Sequence, residues 1–258
     1  MIGCSYGRFF QVTVAGGSYQ EGLTTHIQGV PAGILLDESE IYAELLQRKP
    51  GQGELSSPRR EPDIPVIYSG VNAADTMPGF SNEGYTNGTP LVVLIPNLDR
   101  HFEHIDQYQR TNRTPRPGHA SYATYQKYGS WDDSIGAGIF SGRYTSTIVA
   151  AGAIAKRILA DHGIDVFAYV KEAAGIAMPA MEYPVIRRRV GDFKAARRDM
   201  DPVFNLVYRE GRIKPGMRFL EKMAALAEIE RMVPDITRPP LSDAEVAALA
   251  ERGLHPVL

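Results

Sequence analysis

Val149-Ala150-Ala151-Gly152-Ala153-Ile154-Ala155 is the stretch on which the fold turns. It lies inside the clearest helical segment of the chain, which the pattern predicts from about Ser141 to Ala160. Its side chains are small, so this helix can pack closely against other elements. Towards the N-terminus, Arg8 to Ala15 alternates Phe10, Val12 and Val14 and predicts a strand ending at Gly16-Gly17. Residues 26–35 predict a second strand, broken by Pro31 and Gly33. Asp37 followed by Glu40 is a capping-box-like start to a helix carrying Ile41, Leu45 and Leu46, which Pro50-Gly51 stops. Strands are expected near 66–68 and 91–95, the latter apolar throughout and therefore buried. Between them, residues 72–88 are rich in Gly, Asn, Ser and Thr and read as a long loop.

Towards the C-terminus a strand is expected at 165–170. Beyond Pro184 the character shifts. Residues 186–200 are rich in arginine and read mostly as a solvated basic surface, while Phe219, Met223, Leu226 and Ile229 fall on one helical face. Ser242 with Glu245 caps a last short helix that Gly253 ends. These elements place the chain in the α+β class. They divide it into a mixed core over 1–185 and a mainly helical segment over 186–258.

The 258 residues can bury a substantial core, and 43% hydrophobic with 22% charged residues is the balance of a globular protein. A net charge of −2 argues against nucleic-acid binding through bulk charge. No apolar run approaches the roughly 20 residues that span a membrane. The start, Met1 to Arg8, lacks a charged-then-apolar signal layout, so a cytoplasmic protein is expected. The single cysteine, Cys4, excludes an internal disulfide framework.

Chemistry concentrates in a few places. Arg116-Pro117-Gly118-His119-Ala120 presents a histidine after a rigid, side-chain-poor turn and behind a fixed cation. Taken alone, His119 reads equally as an ordinary loop histidine. Arg48-Lys49 and Arg59-Arg60 are basic pairs beside prolines, and Arg116 and Arg143 add cations near glycine-rich turns. Such a set suits an anionic, phosphorylated or carboxylated ligand, because guanidinium matches those oxygens in bidentate geometry. Each arginine taken singly also fits a solvated surface. Gly136 to Gly142 precedes the long helix but lacks the spacing of a P-loop or a dinucleotide fingerprint. His101 and His104 have metal-pair spacing but no third ligand, and no metal is expected. There is no GxSxG elbow and no HExxH.

Taken together, these segments resemble the chorismate synthase family. The likeness runs in order through Gly7-Arg8-Phe9-Phe10, the Gly16-Gly17-Ser18 turn, Gly29-Val30-Pro31-Ala32-Gly33 and Arg48-Lys49-Pro50-Gly51. It continues through Pro58-Arg59-Arg60-Glu61-Pro62-Asp63, Ser69-Gly70-Val71, Asn87-Gly88-Thr89-Pro90, Arg116 to Gly129 and Gly138 to Lys156. The resemblance implies a β-α-β sandwich, here its N-terminal half plus C-terminal helices. It also implies a tetrameric lyase that eliminates phosphate from 5-enolpyruvylshikimate 3-phosphate with reduced FMN, in the shikimate pathway of aromatic biosynthesis. Under it, His119 matches the histidine that serves the reduced flavin. Arg48, Lys49, Arg60 and Arg143 match substrate-anion positions, and Ile139, Phe140 and Ser141 match a flavin-contacting turn.

The departures are specific. The family's Gly-Glu-Ser-His-Gly motif reads Gly16-Gly17-Ser18-Tyr19-Gln20, so Tyr19 stands where a histidine would protonate the leaving phosphate. A phenol, with a reference pKa of about 10, is a poorer proton donor at neutral pH than imidazole. Glu54 replaces a basic residue, and Gly138-Ile139-Phe140-Ser141-Gly142-Arg143 loses an arginine and a hydroxyl of the family's turn. The 72–88 loop is longer by about ten residues, and the late Arg-Asp-Pro flavin motif has no counterpart. Three readings therefore stand: a lyase acting on that substrate or a related cyclic phosphate, a subunit needing a partner chain to complete the flavin site, and a ligand-binding relic. A homo-oligomer or a second subunit is expected in either of the first two.

Overall fold

The computed structural model describes residues 4–50, 61–74, 82–99, 108, 114, 116, 118–133 and 135–236. Its centre is a five-stranded antiparallel sheet in the order β1-β2-β3-β5-β4. The strands are β1 (Ser5–Tyr6), β2 (Gln11–Gly16), β3 (Gly22–Gln28), β4 (Val66–Ser69) and β5 (Leu91–Pro96). Alternation sets the register. Leu23, Thr25 and Ile27 of β3 lie opposite Ile95, Val93 and Leu91 of β5. All six are fully buried, as period-2 geometry requires when one sheet face is covered.

The cover is helical. Helix α1 (Glu38–Arg48) is capped by Asp37, whose side chain accepts from the Ser39 amide, and it presents Ile41 and Leu45 to the sheet. Helix α2 spans Ser121–Tyr128, and α3 (Thr145–Ala160) presents Ala150, Ala151, Ala153 and Ile154. The small side chains of α3 let it press onto β2, β3 and β5 as the sequence pattern demands. The fold is α+β: one sheet under one helical layer, followed by C-terminal helices.

Those helices are α4 (Tyr183–Met200) and α5 (Phe219–Ile236), joined by a short helix at Pro202–Phe204 that continues as a π-helical turn at Asn205–Arg209. Leu226 and Ile229 of α5 bury against Val203, Val207, Tyr42 and Val66, so α1 and β4 share this second core. Lys222 of α5 and Glu38 of α1 form a completely buried ion pair, and Glu38 also accepts from the Ile67 amide at 3.3 Å. Burial pushes the Glu38 carboxyl up from its ordinary value, with Lys222 opposing it. The edge strand β4 carries a bulge at Tyr68, whose exposed ring meets Phe219 of α5 edge-on at 4.8 Å.

Two expectations change. The second strand begins at Gly22 and ends at Gln28, not across 26–35, because Gly29 turns at φ +82° where a Cβ would strike the Phe9 carbonyl. The run 165–170 is not a strand. Its β-branched and aromatic residues suit a strand, but a strand needs a neighbour, and none of its backbone amides donates to another backbone group among the described residues. Strands β6 (Glu172–Ala173) and β7 (Ile176–Ala177) form only a short hairpin beyond it. The helix expected after Ser242 lies outside the described residues.

Two sets of variants test this packing. Gly152 sits mid-helix, exposed, with nothing within 4 Å of a built Cβ, so Gly152→Ala should stabilise by about 1 kcal/mol in thermal melts. Ala150→Leu should cost about 1–3 kcal/mol through overpacking. Lys222→Met leaves a buried carboxylate unpaired and should cost about 3–5 kcal/mol at neutral pH, whereas Glu38→Leu with Lys222→Met together should cost little. The sign with pH follows from the raised Glu38 carboxyl: the fold favours its protonated form, so the Lys222→Met deficit should shrink on acidification towards pH 4.5. Denaturant titrations at the two pH values read it out.

Candidate functional site

The turn between β2 and β3 carries Gly17-Ser18-Tyr19-Gln20 and is held from below by one side chain. Asn97, just past β5 and almost wholly buried, donates to the carbonyls of Gly17 at 2.9 Å and Gln20 at 2.8 Å. Its own carbonyl accepts from Arg143 Nε at 3.0 Å. Arg143 begins the helical turn that enters α3, where Ser141 caps it by accepting from the Arg143 amide. The guanidinium is 4% exposed and pairs with Asp63 and, at 3.6 Å, with Glu61. Asp63 also receives Arg48 at 2.9 Å. A buried chain of charge-assisted contacts therefore runs from the end of α1 to the Tyr19 turn.

Asp63 occupies this position at φ +56°, a left-handed conformation that aspartate tolerates better than most residues. Glu61 completes the balance: it is fully buried and accepts from the Leu98 and Asp99 amides. Among the described residues, two arginines of the cluster meet two carboxylates.

Tyr19 sits above this base. A Cβ at Gly136 would collide with its ring, and Gly136 itself needs φ +62°, so a glycine there is what lets Tyr19 lie flat. The 133–141 segment is further tied to the turn by Gln20, which donates to Asp133 at 3.2 Å. Partial burial raises the Asp133 carboxyl, Gln20 opposes that shift and Asp132 adds to it. On its other side Tyr19 meets Tyr108 edge-on at 5.6 Å, and the Arg116 guanidinium lies 5.4 Å from the Tyr108 ring centre.

His119 belongs to the same assembly. Its amide donates to the Arg116 carbonyl at 3.2 Å, and the Arg116 amide donates to Ser121 Oγ at 2.8 Å, which docks the turn onto α2. Thr124 anchors α2 in turn, donating to Asp132 at 2.6 Å. Arg116 Nη2 and His119 Nδ1 are both buried with no hydrogen-bond partner among the described residues. Buried polar atoms are paired in nearly every native structure, so these two, three residues apart, leave hydrogen-bonding capacity unused among the described residues.

The other expected residues fall differently. Lys49 is turned to the second core, where it pairs with Asp201 at 3.1 Å and donates to the Tyr42 hydroxyl at 3.2 Å; burial lowers its pKa and Asp201 opposes this. Ile139 packs against the main core, Ser141 is spent as a cap, and Phe140 is 45% exposed. Arg60, with Arg59, Glu54, His101 and His104, lies outside the described residues. No group of three metal-ligating side chains occurs among the described residues. Asn97 and Asp63 were not assigned as site residues from sequence; Asp63 stood inside a quoted motif, and Asn97 carried no signal beyond ending an apolar strand.

A separate cleft of about 560 Å³ lies between α1, α3 and α4. Its cations Lys156 and Lys194 both rest on Glu44, at 3.0 and 2.8 Å, so it offers no comparable pair of orphaned groups.

A sequence model of the chorismate synthase family matches residues 10–225. The chain is similar to the chorismate synthase of Acetivibrio thermocellus, 37% identical over 190 residues that cover 68% of this chain and 46% of that protein. It is 42% identical to that of Aeropyrum pernix over 172 residues, covering 67% and 42% respectively. With the Methanococcoides burtonii chorismate synthase it shares 38% identity over 210 residues, covering 79% and 54%. A chorismate synthase crystal structure superposes with a TM-score of 0.48 at 21% identity, covering 87% of this chain and 54% of that one. The chain spans about half the length of the curated relatives it matches. No helix among the described residues is long and apolar enough to cross a membrane.

The role of Asn97 is directly testable. Asn97→Ala strands the Arg143 Nε donor in a buried site and removes two clamps on the turn, so it should cost about 1–3 kcal/mol in urea unfolding. It should also speed proteolytic nicking at residues 17–20; a variant as stable and as resistant as the parent would remove Asn97 from this account.

Proposed function

The chain belongs to the chorismate synthase family, and on that premise we propose that it is a carbon–oxygen lyase. Its substrate is 5-enolpyruvylshikimate 3-phosphate or a related cyclic phosphate. The observation that carries this reading is the pair of buried, unpartnered polar atoms at Arg116 and His119, set in the same run of contacts as Tyr19.

The elimination breaks a C–O bond to phosphate and removes a proton from the ring, so the site must hold an anion and manage protons. Arg116 supplies a fixed positive charge, which suits a phosphate or carboxylate oxygen. His119, behind its rigid turn, is the group suited to hold or move a proton at Nδ1. Tyr19 offers a hydroxyl hydrogen bond to the departing phosphate where relatives carry a histidine, and so acts as a weaker acid. Asn97, Arg143, Asp63 and Arg48 are positioning residues: they hold the Tyr19 turn and the entry to α3 in fixed relation. Arg60 remains a proposed anion-binding position beside them.

Reduced FMN fits the free donors and the exposed Phe140, and when bound it supplies electron density to the ring that loses phosphate. His119, Arg116 and Phe140 would hold it. Ile139 and Ser141 contribute through the backbone path they fix, since their side chains are otherwise engaged.

A second reading is favoured by the charges. Arg48, Lys49 and Arg143 are each paired with a carboxylate, so they are engaged within the chain, and a partner polypeptide would add cations to those of Arg116 and Arg60. In that case the chain is a subunit whose flavin site a partner completes.

Anaerobic assays separate the two. With reduced FMN and enolpyruvylshikimate phosphate, the purified chain should release inorganic phosphate, His119→Ala should lower the rate at least about 100-fold, and Tyr19→His should raise it. Absence of release at any protein concentration, with no flavin bound in a titration, would replace the first reading by the second.

A further inference from the structure

Asp133 falls between the stretches that the sequence singles out, and as a whole residue it is exposed. Its carboxylate is nonetheless turned inward. Gln20 Nε2 donates to Oδ2 at 3.2 Å, and a Cβ built on Gly17 would stand 2.9 Å from that same oxygen. A Cβ built on Gly138 would stand 3.3 Å from it and would collide with the Asp133 carbonyl. Gly17 and Gly138 thus leave the room that this side chain takes. Among the described residues, Gln20 is the one side chain that donates to it.

Neither wall of that space is free to retreat. Gly16 is paired with Leu23 across the sheet, and its carbonyl accepts from the Tyr144 hydroxyl at 2.7 Å. Asn97 holds the carbonyls of Gly17 and Gln20. On the other side, residues 136–138 are three in succession at positive φ, and Ala137, at +75°, is not a glycine. A side chain is strained in that region and stays there only where surrounding contacts impose it. These three residues fold the segment back over Asp133 and bring Gly136 against the Tyr19 ring. The family's motif has a glutamate where Gly17 stands. Here the carboxylate at the turn comes instead from the segment that leads into α3.

We infer that Asp133 is a positioning residue for Tyr19: through Gln20 it locks the 17–20 turn to the 136–138 segment and so fixes where the Tyr19 ring lies. The effect of this lock on catalysis rests on the lyase reading; the lock itself does not.

Limited digestion with chymotrypsin, which cuts after Tyr19, reads the lock without any activity. Asp133→Ala should speed that cut at least about five-fold, because losing a bond to a charged acceptor lets the turn open locally. Asp133→Asn keeps an acceptor of the same size for Gln20 and should stay within about two-fold of the parent. Gly17 has a backbone that alanine can adopt, but its new Cβ would displace the carboxylate. Gly17→Ala should therefore speed the cut as well, and should add nothing in an Asp133→Ala background, since both remove one contact. Equal cutting of the parent and Asp133→Ala, a loss that Asp133→Asn shares in full, or additive effects of the two alanine variants would each overturn the lock.

Anaerobic phosphate release tests what the lock does for Tyr19. Asp133→Ala should lower kcat about ten-fold with KM little changed, as displacement of a reacting group does, and Asp133→Asn should restore it. In a Tyr19→Phe background Asp133→Ala should cost nothing more, a result that general loosening of the fold would not give. A loss undiminished in that background would overturn the assignment to Tyr19. A parent that releases no phosphate but shows the expected cutting pattern would overturn the lyase reading and leave the lock standing.

Discussion

One carboxylate governs much of this molecule. Asp63 is completely buried and receives two guanidinium groups, Arg48 from the end of α1 and Arg143 from the entry to α3. Those helices are remote in sequence and neighbours in space, and the shared charge fixes their ends together. Removing the carboxylate would leave two buried cations facing each other, a cost far larger than the loss of one hydrogen bond. Glu61 adds a second carboxylate beside the Arg143 guanidinium. Asn97 then converts a charge cluster into a positional one, because its amide joins Arg143 to the carbonyls under Tyr19.

This constraint explains why arginines that read as ligand-binding in the sequence are placed inward. A guanidinium beside proline or glycine has a fixed backbone, but the fixed backbone does not say what the head group meets. In Arg48 and Arg143 it meets acids from the 61–63 segment. In Arg116 it meets an aromatic ring with one nitrogen left over. The same residue type thus divides into two that pair with acids and one, Arg116, that is proposed to meet a ligand.

The fold was legible where burial has a period. Strands β2 and β5, helix α3 and the Phe219-Met223-Leu226-Ile229 face of α5 all follow from spacing, because a single covered face imposes it. The start of β3 was not legible: Gly22 is a weak β-former and the polar pair Thr24-Thr25 gives no apolar alternation, while pairing with both β2 and β5 sets the strand. The run 165–170 shows the opposite error, a strand-like pattern with no partner in reach. At the proposed site, His119 behind its turn and Tyr19 in place of a motif histidine stand out in the sequence itself, and their roles are the ones proposed. Asp63 and Asn97 do not stand out, since their importance lies in which distant groups they join, and no local pattern encodes that.

The sheet has two edges, and they are closed in different ways. Strand β1 is only two residues long, too short to template another strand. Strand β4 is bulged at Tyr68 and capped there by Phe219. That second closure arrives from a residue some 150 positions later in the chain. On a ribosome the β4 edge would stand open while the whole of that intervening length is made. The C-terminal helices are thus more than an appendage to the core. They end the period in which a nascent sheet of this kind can recruit the wrong strand.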